Sequence, residues 1–577
     1  MRRELHFGDN LKVLRDKDLF PDESIDLIYL DPPFNSNASY NMLFKDKTGT
    51  QSEAQITAFD DTWTWGPSAA EALDDIMTRE DVPLKLQQLM PALKDFLGYN
   101  DMLAYLTMMA VRLVELHRVL KETGSLYLHC DPTASHYLKL VLDAVFGIQN
   151  YQNEIIWRRT GSHNSAKRFG PIHDVIHFYK KSDAYRHNSV FRPYSHGHVE
   201  SYFKKDDAKG KYWTNSVHGA GTRNGESGQI WRGYDPTARG RHWAIPSQLV
   251  LELGIDPDLK PLEKLERLYK KGVIDLPENM DSLPTYRQYL SNSPGLLAQD
   301  LWTYQPHTKG MLYNSDEGVD EDVRWLTAQA SEERLGYPTQ KPLGLLERII
   351  QASSNPGDVV LDPFCGCGTA VDAAETLKRQ WVGIDVTHLS INLIERRMRE
   401  AHPHLTAKNA YKVLGTPTTM NGAQRLFREN TMQFEKWAVS LIPGAREYKL
   451  GGGDGGIDGI FRFADENRDY KTGLLSVKGG KTLNPSMVRD LRGVVERESL
   501  CEMGIFICLS EPTQGMRTEA ASAGFYEVAG KRIPRLQIAT VENLLDEKLP
   551  IMPGLIDESA VFKKAKKAKV DKQGKLL

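Results

Sequence analysis

Apolar residues recur along this chain with two periods, and the switch between them marks its elements. Ile25-Asp26-Leu27-Ile28-Tyr29-Leu30 is nearly continuous in apolar side chains, as a buried strand would be. Asp31-Pro32-Pro33 ends it, because consecutive prolines supply no amide hydrogens. Much later, Leu345, Leu346, Ile349 and Ile350 repeat at helical spacing and predict a helix over 342–352. Asn355-Pro356-Gly357-Asp358 breaks that helix. Residues 359–361 then read as a buried strand, 369–377 as a helix, and 381–385 as a second strand, so 341–400 predicts one βαβ unit. Between about 185 and 334 this alternation disappears, and helical spacing is confined to 259–271 and 285–291. Beyond 415 a further pattern begins. After a linker-like stretch at 416–428 it predicts a helix at 433–438, a strand at 473–478, a helix at 487–498 and a strand at 504–509.

Composition adds limits to this outline. A chain of 577 residues holds roughly three to four domains. Its 40% hydrophobic and 26% charged content is that of soluble proteins with large cores. The net charge of −3 shows no global preference for nucleic acid, so any such binding must use local basic surfaces. Five cysteines do not form a disulfide framework or a zinc-type spacing and predict reduced thiols. No apolar run approaches a membrane span and no signal-type segment begins the chain, so a cytoplasmic protein with no membrane partner is expected.

The chemistry concentrates at two strand ends. Asp362-Pro363-Phe364-Cys365-Gly366-Cys367-Gly368-Thr369 is a glycine-rich turn between strand and helix, where missing Cβ atoms let backbone approach a ligand. Asp385 follows Gly366 by 19 residues, a spacing that suits a carboxylate accepting ribose hydroxyls. A generic nucleotide-binding unit is the plainer reading. Asp362 beside the turn favours S-adenosylmethionine, with Asp362 meeting an ammonium group and Phe364 lining the pocket. Asp9, ahead of a short helix, would accept from an adenine amino group. At the other strand end, Asp31-Pro32-Pro33-Phe34 offers a carboxylate, a fixed carbonyl and a stacking face. An exocyclic amino nitrogen is a poor nucleophile because its lone pair is delocalised into the ring. The Asp31 carboxylate and Pro32 carbonyl can hold its two hydrogens and orient that pair, with Phe34 stacked on a base that has left the duplex.

These motifs, in this order, resemble the β-class amino DNA methyltransferases, of the adenine-specific Mod-like kind. The resemblance also rests on Tyr337-Pro338-Thr339-Gln340-Lys341-Pro342 and on the stretches 124–131 and 153–159, and it covers about 1–180 and 335–402. Cys367 stands where serine is usual, and Phe34 replaces the more frequent tyrosine. The resemblance implies an α/β, Rossmann-like methyltransferase with permuted motif order and a target-recognition insert. It implies catalysis by Asp31, Pro32, Pro33 and Phe34. It implies cofactor contacts from Asp9, Thr339, Lys341, Asp362, Phe364, Gly366, Gly368, Thr369 and Asp385. Its expected partners are double-stranded DNA with a flipped base, a second copy in a homodimer, and restriction or defence subunits. Residues 59–66 resemble a loop that closes over DNA, where Trp63 or Trp65 would fill the gap left by the flipped base or else pack on the domain surface.

The expected division is 1–184 for the catalytic half, 185–334 for the insert, 335–415 for the cofactor half, 416–428 for a linker, 429–552 for a carboxyl-terminal domain and 553–577 for a basic, disordered tail. The insert is locally basic. Arg223, Arg232, Arg239 and Arg241 are expected on DNA, while its interleaved aromatics either stack on bases or fill a small core. The carboxyl-terminal pattern resembles the Mrr-like PD-(D/E)xK nucleases, a restriction-endonuclease-like α/β fold. There Asp458 would bind Mg²⁺, Lys478 would activate water, and Glu435 would sit at the edge. Ser476 departs from that family's Glu or Gln, which leaves an active nuclease, a DNA-binding relic and a docking module open. The expected activity is methyl transfer from S-adenosylmethionine to adenine N6 in DNA within a restriction–modification or defence system. Mg²⁺ enters only if the nuclease-like domain is active. Cytosine-N4 methylation and a weakly catalytic DNA-binding scaffold are the alternatives.

Overall fold

The computed structural model describes residues 1–577 apart from 34–38, 43–55, 61–64, 162–167, 327–332, 336, 338, 407–409, 418, 449–455, 465–469, 499–500, 529–530, 547 and 554–577. Phe34, Trp63 and the tail therefore lie outside the described residues.

The chain divides into two compact units, Met1–Asn188 with Asp300–Tyr304 and Asp322–Leu577, and Ser189–Gln299 with Gln305–Glu321. The first unit is organised around a mixed sheet of nine described strands. Their order is Leu301–Trp302, Tyr151–Arg158, His173–Lys180, Leu120–Cys130, Ile25–Leu30, Val359–Asp362, Gln380–Asp385, Arg3–Phe7 and Lys412–Leu414. From Leu120–Cys130 to Lys412–Leu414 all pairings are parallel, so those strands end at one edge of the sheet. His173–Lys180 runs antiparallel to both its neighbours. Ile25–Leu30 is fully buried, as a parallel strand covered on both faces should be.

One pairing brings the distant motifs together. Val360 lies opposite Leu27 and Leu361 opposite Ile28, so the strands ending at Asp31 and Asp362 are immediate neighbours. Phe7 pairs with Asp385, which sets Asp9 just beyond the end of the strand that adjoins Gln380–Asp385. The helices Leu343–Ser353 and Thr369–Thr376 fall where the apolar spacing predicts them.

The second unit carries an antiparallel sheet, Ile274–Asp275, Thr285–Tyr289, Gly210–Ser216 and Lys205–Asp207, and the helix Pro261–Lys270. Residues 285–291, expected as helix, are instead this Thr285–Tyr289 strand followed by a 3₁₀ turn at Leu290–Asn292. Thr285, Tyr286 and Tyr289 suit a pleated surface, and the ladder with Gly210–Ser216 overrides the local spacing. Trp231, Tyr234 and Trp243 are buried with Leu265 and Leu268, so these aromatics fill a core. The expected 185–334 insert is also interrupted. Asp300–Tyr304 belongs to the first unit, where Leu301–Trp302 forms one edge strand of the nine described and Trp302 pairs with Trp157. A two-residue strand is too short to show a period.

Residues 420–553 of the first unit form a five-stranded sheet, Arg446–Glu447, Gly459–Ala464, Tyr470–Lys478, Cys501–Cys508 and Leu536–Thr540, with apolar clusters on both faces. The stretch expected as a linker is corrected here. Met420–Glu429 is a helix capped by Thr419, its Ala423 is buried in this core, and Phe427 packs edge-on against Phe434 at 5.3 Å. Its apolar residues are few but share one face, which a composition-based reading misses.

Candidate active site

The parallel strand ends enclose a cavity of about 310 Å³. Asp31, Pro32 and Pro33 form one part of its wall, and Asp362, Phe364, Gly366, Thr369 and Asp385 another. Asp9, Thr339 and Lys341 also line it. Of the nine expected cofactor residues only Gly368 does not, and its glycine has a different reason. It holds φ +75°, and a Cβ there would meet Ile394 Cγ1 at 2.8 Å, so Gly368 permits close packing of the turn on the helix His388–Ala401.

The site is acidic, and its carboxylates differ in burial. Asp362 is 4% exposed, and its Oδ1 accepts from the Phe364 amide at 3.0 Å. Burial pushes its carboxyl well above the usual carboxylate range, and Asp31 and Asp385 add to the effect while Lys341 opposes it. Burial also raises Asp385, against hydrogen bonds from the Thr387 amide and hydroxyl at 2.8 and 2.9 Å and the Gly366 amide at 3.0 Å. That last bond ties the glycine turn to the following strand. Asp9 caps the helix Asn10–Arg15 through the Leu11 amide and meets Arg112 Nη2 at 3.2 Å. Lys341, expected on a cofactor, donates to Asp31 Oδ2.

Arg112, Asn10, Tyr337 and Thr387 also line the cavity, though the sequence reading gave them no role there. Arg112, buried in the helix Asp101–Val119, donates to Asn10 Oδ1 at 2.6 Å, and Asn10 donates to the Pro363 carbonyl at 2.7 Å. Tyr337 packs near Gly366, and Thr387 holds Asp385. Tyr337 belongs to a quoted motif and Asn10 adjoins Asp9, whereas Arg112 lies in an apolar helical run with no local signal.

Other expected residues lie elsewhere. Trp65 packs on the helical layer, tilted against Tyr99 at 4.8 Å, which is the surface-packing alternative. In the second unit Arg232 is forked onto Glu266 and stacked over Tyr269 at 4.0 Å, Arg239 is paired with Asp281, and Arg223 and Arg241 are exposed. In the carboxyl-terminal sheet Asp458 Oδ2 accepts from the Val477 amide at 2.6 Å and lies 3.8 Å from Lys478 Nζ. Ser476 Oγ is occupied by the Gly456 carbonyl at 2.8 Å. Glu435 sits on the helix Thr431–Ser440. Among the described residues no group of three or more His, Cys, Asp or Glu side chains is placed to hold a metal ion. Nor is any described helix long and apolar enough to cross a membrane.

A family model described as DNA methylase, covering N6- and N4-directed enzymes, matches residues 25–396. The chain is 30% identical over 306 residues to the type II methyltransferase M.EcaI of Enterobacter cloacae, covering 52% of this chain and 59% of that protein. It is 23% identical over 381 residues to the Mod subunit of the type III restriction–modification enzyme StyLTI of Salmonella typhimurium, covering 65% and 50%. It is 45% identical over 82 residues to the DNA adenine methyltransferase YhdJ of Escherichia coli, covering 14% and 28%. The matched stretches thus span from 28% to 59% of these relatives' lengths.

Proposed function

Because the chain belongs to the DNA methylase family, we propose that it transfers a methyl group from S-adenosylmethionine to the N6 amino group of adenine in DNA, within a restriction–modification system. The observation that carries this reading is the adjacency of Asp31 and Asp362 at neighbouring strand ends on one cavity. S-adenosylmethionine, when bound, supplies an electrophilic methyl group on a sulfonium. The cavity fits it, because a buried carboxyl with a raised pKa calls for a cation and Asp362 would take the cofactor's ammonium. Phe364, Gly366 and Thr369 would wall the cofactor, Asp385 would hold ribose, and Asp9 would face its adenine. Asp31 and the Pro32 carbonyl would accept the two hydrogens of the target amino group and aim its lone pair. The name of YhdJ favours adenine over cytosine N4. Expression in a methylation-free host, followed by sequencing of native DNA, is expected to show N6-methyladenine at one sequence context. Methylated cytosine would select the alternative, and no modified base would refute the reading.

Cofactor binding is expected to tighten as pH rises. In the apo protein Asp362 holds its proton to higher pH than a free carboxyl. Its contribution to folding stability is therefore present at low pH and is lost as pH rises through the folded value. An ammonium on the ionised form expels that proton, so affinity grows as pH climbs through the same window. Calorimetry in buffers of different ionisation enthalpy should register proton release, which Asp362→Asn should abolish while weakening binding about 10–100-fold.

We propose that the second unit, through Arg223 and Arg241, reads the DNA. For residues 420–553 we propose an endonuclease-like domain that engages DNA without cutting it. Ser476 supplies no charge opposite Asp458, and its hydroxyl is already committed to a carbonyl. Incubation of unmethylated duplex with Mg²⁺ is expected to yield no cleavage above background. Cleavage that Asp458→Ala removes would overturn this and restore the active-nuclease reading.

A further inference from the structure

The two oxygens of Asp31 have unlike surroundings. Oδ2 receives the ammonium of Lys341. Oδ1 is buried and has no hydrogen-bond partner among the described residues. The side chains are 15% and 10% exposed, so neither end of the pair is dissolved in solvent. A buried carboxylate oxygen left unpaired costs free energy and persists where a ligand is to supply the hydrogen. Asp31 lines the cavity, so that hydrogen can arrive from a bound group. Other charges lie near the pair. Asp31 and Asp362 repel across neighbouring strands, and Lys341 acts attractively on Asp362 and on Asp174 as well.

We infer that Lys341 is a positioning residue for Asp31, holding Oδ2 so that Oδ1 is the oxygen that receives the target amino hydrogen. This rests on the methyl transfer proposed above, and it gives Lys341 a task other than holding the cofactor. The geometry also explains why a residue 310 positions away in the chain belongs to the catalytic motif. A flexible ammonium suffices, because the contact needs a point charge on one oxygen and no planar fork.

The test uses Lys341→Met and Lys341→Arg, each alone and in an Asp31→Asn background. Three quantities are measured: turnover at saturating S-adenosylmethionine and DNA, cofactor affinity by calorimetry, and thermal unfolding. Lys341→Met is expected to lower kcat about 100-fold with the cofactor Kd changed less than about threefold. Lys341→Arg should recover at least about a tenth of the lost rate. In the Asp31→Asn background Lys341→Met should have no further effect on kcat, and the two substitutions should be non-additive in thermal unfolding. An unchanged kcat, a loss confined to cofactor affinity, or additive effects would each overturn the inference. Failure of the wild-type chain to methylate any DNA would refute the proposed reaction instead. The unfolding cycle would still decide the tether, with non-additivity upholding it and additivity overturning it.

Discussion

Asp31→Ala is expected to reduce methyl transfer to DNA by about 10³-fold while S-adenosylmethionine still binds within about tenfold of the parent. The size follows from what the carboxylate must do. An aromatic amino group conjugated to its ring has little nucleophilicity, and holding its hydrogens out of plane is how the site can restore it. Two acceptors share that work, the Asp31 carboxylate and the Pro32 carbonyl. Only the carboxylate can also offset the positive charge that develops on the nitrogen as its bond to the methyl group forms and the sulfonium bond breaks. The alanine variant also removes the carboxylate oxygen to which Lys341 donates. Asp31→Asn separates the effects. It keeps an acceptor oxygen but loses the charge, so it should fall between the parent and the alanine variant. Cofactor affinity is spared because Asp362, Phe364 and Asp385 remain in place. Initial rates with tritiated cofactor on unmethylated duplex, beside calorimetric titration, supply both numbers. An Asp31→Ala protein that turns over at the parental rate would remove Asp31 from the mechanism.

What could be read in the sequence was local. The strand ending at Leu30, the proline stop, the glycine turn and the acid at 385 each announce themselves within a few residues, because a period or a backbone constraint shapes them. The structure brings most of that expected cofactor set to one cavity. What could not be read was pairing between distant segments. Nothing in Leu27 or Val360 says that they lie opposite each other, since any two parallel apolar strands could pair. Lys341 offers the same lesson, because its spacing from Asp31 is set by the whole sheet rather than by a motif. Arg112 is harder still, a cation in an otherwise apolar helix that makes sense only once Asp9 and Asn10 are beside it. Where secondary structure was misread, as at Thr285–Tyr289 and Met420–Glu429, neighbouring segments decided the outcome. Each of these stretches packs on a partner distant in sequence, and burial there outweighs local preference.

Arg397→Met is expected to cost about 3–5 kcal/mol of stability and to loosen the cofactor turn with it. Arg397, 2% exposed at its side chain, donates through Nε to Asp372 Oδ2 at 2.7 Å, and His402 Nε2 reaches Asp372 Oδ1 at 2.7 Å. Burial pushes the Asp372 carboxyl up, but Arg397 and His402 more than offset it and hold it below the usual range. A depressed carboxyl contributes stability that is present above its unfolded pKa and is lost as pH falls through the folded one. Methionine matches the stem of the arginine and leaves the charge of Asp372 buried with only His402. The penalty should therefore be full at neutral pH and shrink in acid, once Asp372 can take a proton. The same guanidinium serves the turn, since Nη1 donates to the Thr369 hydroxyl at 3.1 Å and the Cys367 carbonyl at 3.3 Å. Losing those bonds frees the segment whose Gly366 amide and Thr369 line the cavity, so S-adenosylmethionine affinity should fall alongside stability. Urea unfolding at neutral and acidic pH, paired with cofactor titration, tests both halves. Equal destabilisation at the two pH values would mean that the lost packing, and not the stranded Asp372 charge, accounts for the cost.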